Sequence, residues 1–178
     1  MPHRSPMLKA FTTVLLLVAI TTTTWAQSAP SALSQDRAFL RAFDGQFTGT
    51  GRLERANGSD HALTCEFKGN SVGRQAVFDG RCTTAIIFGI SMRISIRYDA
   101  GTRRYFGSFH ESMGTVAVLA GSRRGETLSL SFIETAKSIR PNPPARLTIT
   151  RRNHDIVLAL RRTMPGRGQN LDLVLRQS

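Results

Sequence analysis

The residues of this chain with the clearest chemical potential are two cysteines, four arginine doublets and a few scattered histidines. Cys65 and Cys82 are the only cysteines. They can cross-link or cycle between redox states, but no Cys-x-x-Cys spacing supports redox work. The basic residues are nearly all Arg, with Lys9, Lys68 and Lys137 the only lysines. Arg grips carboxylate and phosphate groups in bidentate fashion, which Lys cannot do. Four doublets stand out: Arg103-Arg104, Arg123-Arg124, Arg151-Arg152 and Arg161-Arg162. His61, His110 and His154 are far apart and have no partner at ligand spacing, so no metal site is expected. No Gly-x-Ser-x-Gly turn and no glycine-rich phosphate loop is present. Glu111 next to His110 could make an acid/base pair. On a strand, neighbours point to opposite faces, so these two would not cooperate. No catalytic residue is therefore assigned.

The elements that must position these groups are strands. Ile94, Ile96 and Tyr98 alternate with Arg93, Ser95 and Arg97, and Leu128, Leu130 and Phe132 alternate with serines. Leu147 and Ile149 alternate with Thr148 and Thr150, and Leu171, Leu173 and Leu175 close the chain in the same way. Period-two alternation marks antiparallel strands with one buried and one wet face. Turn signals bound the runs: Asn57-Gly58, Asp99-Ala100-Gly101, Met113-Gly114, Gly121 to Gly125, Asn153-His154 and Pro165 to Gly168. Ten strands are expected near 47–55, 61–72, 75–87, 91–98, 104–110, 115–121, 126–133, 146–151, 155–161 and 170–176. One long Pro-rich connection covers 135–145. Short strands and short turns fit a sandwich or an up-and-down barrel. Closure removes exposed edges, and consecutive hairpins favour the barrel. The fold class is all-β, preceded by one short helix: Ser34 is its expected cap, Phe39, Leu40 and Phe43 share its apolar face, and Gly45 stops it.

These elements assign the cysteines. If Gly73-Arg74 is a two-residue turn, Cys65 faces Cys82, Glu66 faces Arg81 and Lys68 faces Asp79. The cysteines then form a non-hydrogen-bonded pair with Cα atoms about 4.5 Å apart, at the short end of the disulfide range. The elements also place the doublets. Alternate connections of an up-and-down barrel fall at one end. Arg103, Arg104, Arg123, Arg124, Arg151 and Arg152 should share a rim, with Arg74 beside them and Arg161-Arg162 at the other end. No aromatic residues interleave with the doublets, so the stacking platform of nucleic-acid binders is missing and no nucleic-acid partner is expected.

The N-terminus carries an address. Arg4 and Lys9 precede a short apolar run, Ala10 to Ile20, and Thr24-Trp25-Ala26 offers small residues at −3 and −1. This is the layout of a signal peptide over residues 1–26, and the run is shorter than the roughly 20 residues of a membrane span. The expected organisation is a leader (1–26), an N-terminal segment with the helix (27–44) and a barrel domain (45–178), with no transmembrane segment after leader removal. The expected location is periplasmic or secreted, where a lone cysteine pair is most simply a disulfide. The formal charge is +12, which the leader lowers by taking Arg4 and Lys9. Such a charge attracts polyanions.

Gly45-Gln46-Phe47-Thr48-Gly49-Thr50-Gly51 resembles the Gly-x-Trp start of lipocalins and fatty-acid-binding proteins, the calycin group. It is also similar to the Gly-x-Trp-x-Gly-x-Gly start of nitrobindin-like haem barrels, with Phe47 in place of Trp. The chain further resembles uncharacterised exported alphaproteobacterial proteins. That likeness rests on Phe43-x-Gly45-x-x-x-Gly49-x-Gly51, the two cysteines and Gly107-Ser108-Phe109-His110-Glu111. The calycin resemblance implies a barrel, a buried Phe47 and a late Arg packed over its ring. Arg176 is the best positional match, with Arg161 or Arg162 behind it. The haem-barrel resemblance implies a late His ligand. His154 is the only late His and sits in the polar turn Arg151 to Asp155, so no cofactor is expected.

Two functions remain. The first is an exported, non-enzymatic binding protein of the bacterial envelope. Its ligand would be an amphipathic anion with the apolar part inside the barrel and the head at the arginine rim. The second is a filled barrel that contacts anionic envelope surfaces through that rim. An internal cavity of a few hundred Å³ would favour the first.

Overall fold

The alternating segments form ten strands: β1 Gly45–Glu54, β2 Asp60–Val72, β3 Gln75–Thr83, β4 Gly89–Asp99, β5 Arg104–Glu111, β6 Val116–Arg124, β7 Thr127–Glu134, β8 Ala145–Arg152, β9 Asp155–Arg162 and β10 Asn170–Gln177. This computed structural model describes residues 31–84, 89–135 and 142–178. The expected leader with Trp25, the last residues expected for the third strand and the middle of the Pro-rich connection lie outside the described residues. Each strand pairs antiparallel with its sequence neighbours, and β1 also pairs with β10, so the sheet is a closed up-and-down barrel. No unpaired strand edge is left to recruit other chains. Among the described residues no helix is long and apolar enough to cross a membrane.

The closure seam explains the glycines of β1. Gly49 and Gly51 face inward between Phe47 and Leu53. A Cβ at Gly49 would lie 2.0 Å from the Val174 carbonyl oxygen, and one at Gly51 would lie 2.0 Å from that of Asp172. Only glycine lets β10 approach this closely. Gly45, at φ 121°, turns the chain into β1.

The β2–β3 register is the expected one, with Cys65 opposite Cys82, Glu66 opposite Arg81 and Lys68 opposite Asp79. The cysteines are bonded, with Cα atoms 4.1 Å apart, and both are buried. The charged rows behave differently from the sequence reading. Asp79 is taken by Arg93 of β4, whose Nε and Nη2 donate to its two oxygens. The planar guanidinium fork binds a carboxylate with both oxygens, and the single ammonium of Lys68 does not compete. Among the described residues no salt bridge joins Glu66 to Arg81. The cross-link spans a sequence separation of 17. Breaking it should therefore cost on the order of 3 kcal/mol, because a loop of that size regains its freedom in the unfolded chain. Urea unfolding of the oxidised chain and of a Cys65→Ala/Cys82→Ala variant should differ by that amount. Coincident curves would show that the bond adds nothing.

The helix α1, Ala32–Arg41, starts three residues earlier than expected. Ser31 is the N-cap: its hydroxyl accepts from the Ser34 amide, and the Ser34 hydroxyl bonds back to the Ser31 carbonyl. Two serines three apart compete for the cap, and the first one reaches both groups. The apolar face buries Phe39 and Leu40, with Phe43 just beyond the helix. Fully burying side chains of this size contributes roughly 1.5–3 kcal/mol each. Their ring contacts locate the helix. Phe39 packs edge-on to Phe43 and Tyr105, and Phe43 packs edge-on to Phe78. Asp44 accepts from the Ser71 amide and hydroxyl. These partners belong to the end of the barrel where the β2–β3, β4–β5, β6–β7 and β8–β9 turns gather. α1 therefore closes that end, and an aromatic cluster fills the barrel beneath it.

Candidate functional site

Toward the other end the barrel is not filled. A cavity of about 420 Å³ opens there, walled by inward residues of the strands, among them Ile94, Phe109, Phe132, Leu147, Leu158 and Leu173. The Phe109 and Phe132 rings meet at 5.1 Å on one side. Small-molecule sites range from about 300 to 1,000 Å³ and combine apolar walls with a few placed polar groups. Polar groups sit at the mouth, among them Arg55, Glu111, Glu134, Asn142 and Arg162.

Most of these are already engaged. The Asn142 amide donates to both Glu134 oxygens at 3.1 Å. Glu111 accepts from the Met113 amide at 2.6 Å. Arg162 donates to Glu54 and to the Arg55 carbonyl, and Asn170 donates to Glu54 at 3.0 Å. The Asn170 hydrogen bond and the Arg162 charge outweigh desolvation and hold Glu54 below its ordinary carboxylate value. Among the described residues the Arg55 guanidinium has no ion pair or hydrogen bond. A second depression, of about 880 Å³, lies on the outer wall and includes Lys68, Asp79 and Arg93 in its lining. Asp79 and Arg93 satisfy each other there.

The closed end holds a buried charge. Asp36 of α1 is 6% exposed. Its Oδ1 accepts from the Tyr105 hydroxyl at 2.6 Å and from Arg123 Nε at 2.7 Å. The Arg123 guanidinium also lies 5.4 Å from the centroid of the Phe39 ring, a cation–π contact. Burial works against the Arg123 charge, but hydrogen bonds with Asp36 and Tyr105 and the Asp36 charge raise its pKa further. Tyr105 is pushed well above the ordinary phenol value, first by burial and then by Asp36. Tyr98 moves in the same direction for the same reasons.

These are the only two tyrosines, which gives a pH prediction. A phenol kept neutral by the fold but free to ionise in the unfolded chain favours unfolding once pH passes about 10. Below that, both states hold the proton and these groups add no pH dependence. Stability should therefore be lost above about pH 10, and tyrosinate absorbance should develop together with loss of the β-sheet signal. Reversible ionisation near pH 10 with the sheet intact would contradict the buried placement.

Arg103 and Arg104 lie at the β4–β5 turn, Arg123 and Arg124 at β6–β7, and Arg151 and Arg152 at β8–β9. All six belong to one end, but it is the end that α1 seals. A molecule in the cavity reaches the opposite rim, with Arg161 and Arg162, and not these doublets. Adjacent strand residues also point to opposite faces, so each doublet on a strand is split. Arg123 is turned in to Asp36, and Arg151 bonds Glu126. Arg124 and Arg152 stay exposed. Phe47 is buried, 1% exposed, with its ring edge-on to Phe78 at 5.3 Å. Arg176 does not pack over it. Residues 171, 173 and 175 point inward, so Arg176 points out and is exposed. Arg161 is held outside by Asp172, and Arg162 is held at the cavity mouth by Glu54, far from Phe47. The arginine that does lie over an aromatic ring is Arg123, on Phe39. His110 is exposed on the outer face of β5, while Glu111 reaches the cavity mouth.

The strands thus form a closed ten-stranded barrel. It is similar to the barrel of Rv2717c from M. tuberculosis. The two share 14% sequence identity and superpose with a TM-score of 0.60, over 80% of this chain and 97% of Rv2717c. At that identity the likeness is one of fold, and it agrees with the barrel that the Gly45-Gln46-Phe47 start implied. The S-type phycobiliprotein lyase CpeS from Guillardia theta matches over 84% of this chain and 98% of its own, at 9% identity and a TM-score of 0.39. That is too distant to carry an argument. No protein-family model and no curated protein matches the chain.

Proposed function

We propose that this chain is an exported, non-enzymatic binding protein that takes an amphipathic small anion apolar end first into the open end of the barrel. The observation that carries this reading is the 420 Å³ apolar cavity with its single polar mouth. Arg55 supports an anionic head, because its guanidinium is at the mouth and has no internal partner among the described residues. The head therefore sits at the open rim, opposite the arginine doublets first considered for it. The leader-like N-terminus and the buried disulfide support export. Holding rather than transforming the ligand is favoured because His110 and Glu111 lie on opposite faces of β5, and the mouth carboxylates are occupied by Met113 and Asn142.

The test uses 1-anilinonaphthalene-8-sulfonate, an apolar ring system with an anionic head. The folded protein should bind one dye per chain, read as a saturable fluorescence rise. Ala145→Trp places a large ring in the mouth from a small, partly buried site, and should weaken binding at least tenfold. Arg55→Gln should weaken it several-fold. Circular dichroism verifies that both variants fold. No saturable uptake by the parent, or a folded Ala145→Trp chain that binds as well as the parent, would refute the proposal.

A further inference from the structure

The two ends of the barrel carry charge in different ways. At the open rim three cations are paired with acids: Arg52 with Asp60, Arg161 with Asp172 and Arg162 with Glu54. At the closed end four acids are engaged within the chain. Asp36 holds Arg123, Glu126 holds Arg151, Asp44 caps Ser71, and Asp99 accepts from the Gly101 and Thr102 amides. The arginines of this end nevertheless outnumber the acids near them: Asp155 lies opposite Arg152 and Asp99 opposite Arg104, and few other carboxylates face the turns. Arg74, Arg103, Arg104, Arg124 and Arg152 are exposed on the turns of this end. Arg37 and Arg41 add two more on α1, also exposed. Among the described residues none of these seven guanidiniums is held in an ion pair or hydrogen bond. Val72 projects from the β2–β3 turn beside Arg74 and is 76% exposed.

We propose that this capped end docks on an anionic lipid surface, with the cavity mouth facing away from the bilayer. Unpaired cations on one face are drawn to the negative surface potential of acidic phospholipids, by roughly fivefold in binding for each Arg near the surface. Guanidinium groups can also grip lipid phosphates in bidentate fashion. An apolar tip among the cations favours a bilayer over a dissolved polyanion, because only the bilayer offers apolar depth at the level of the headgroups. The cap makes the arrangement useful. α1 seals the barrel floor, so the protein can rest on lipid without opening the cavity to it, and ligand exchange occurs through the far rim. This goes beyond the binding reading, because docking does not require an occupied cavity.

The experiment is co-sedimentation of the full mature chain with vesicles of phosphatidylcholine alone and of phosphatidylcholine mixed with phosphatidylglycerol. The mixed vesicles should bind it and the neutral ones should not. Binding should fade as salt rises, as the Debye length falls from about 10 Å at 0.1 M to about 3 Å at 1 M. A variant with Arg103, Arg104, Arg124 and Arg152 changed to Gln should lose roughly a hundredfold or more. A charge-matched variant with Arg52, Arg146, Arg161 and Arg167 changed to Gln should lose far less. Val72→Ser should weaken vesicle binding without changing retention on heparin. Ala145→Trp should sediment like the parent, so failure of the cavity reading is seen separately. Thermal melts verify that each variant is folded. Equal losses from the two ends, equal binding to neutral vesicles, or heparin retention that tracks vesicle binding in every variant would overturn the proposal.

Discussion

Replacing Arg123 by Met should lower the unfolding free energy by about 3–5 kcal/mol, the usual cost of removing one partner from a buried ion pair. The Arg123 side chain is 13% exposed and that of Asp36 8%, so solvent cannot replace the lost partner. Tyr105 would remain as a neutral donor to a charge that needs two. The cation–π contact with Phe39 would go as well. The damage should concentrate in α1, whose amides should exchange hydrogen faster than those of β1 or β10. Asp36→Asn in the same chain should restore much of the loss, because the stranded charge is then gone. A single variant that costs less than about 1 kcal/mol, or a double variant no better than the single, would show that the pair does not hold the cap.

Phe47→Ala should cost a similar amount, about 3–5 kcal/mol. The ring is 1% exposed and packs edge-on to Phe78. Phe78 in turn stacks on Phe67 at 4.7 Å and meets Phe43 at 5.8 Å. The barrel wall cannot collapse to refill the space, since the inward strand neighbour Gly49 already abuts β10 and Gly45 lies against Gln177. Urea unfolding measures the change. A variant as stable as the parent would mean that the aromatic cluster under α1 is loosely packed.

Much of the fold was readable because strand geometry is written with period two. The alternation at 93–98, 127–132 and 171–175 placed strands within a few residues of β4, β7 and β10. One turn, Gly73-Arg74, then fixed the register that joins Cys65 to Cys82. The placement of α1 was not readable, because docking a helix on a barrel end is a tertiary choice with no local pattern. Its consequence, that the arginine doublets surround a sealed end, was hidden with it. Two signals were nevertheless present. Asp36 lies three, four and seven residues before Phe39, Leu40 and Phe43, which puts a carboxylate on the apolar face of the helix and demands a cation inside. Arg123 continues the inward parity of Ala117 and Leu119, which makes it the candidate for that cation. The same parity rule places Arg176 outside, against the position that the calycin resemblance suggested.

The two ends of the barrel thus have separate chemistry: a capped end where exposed arginines outnumber the acids, and an apolar cavity with a lightly charged mouth. The proposed function rests on the second. Its most direct test is native mass spectrometry of the mature protein purified from the cells that make it, before and after incubation with a medium-chain fatty acid. The account predicts a species heavier than the bare polypeptide by one small molecule, or one that becomes so on incubation. That added mass should be lost on denaturation and absent from Ala145→Trp. A spectrum that shows only the bare polypeptide in every condition, or an adduct that persists unchanged in Ala145→Trp, would contradict it.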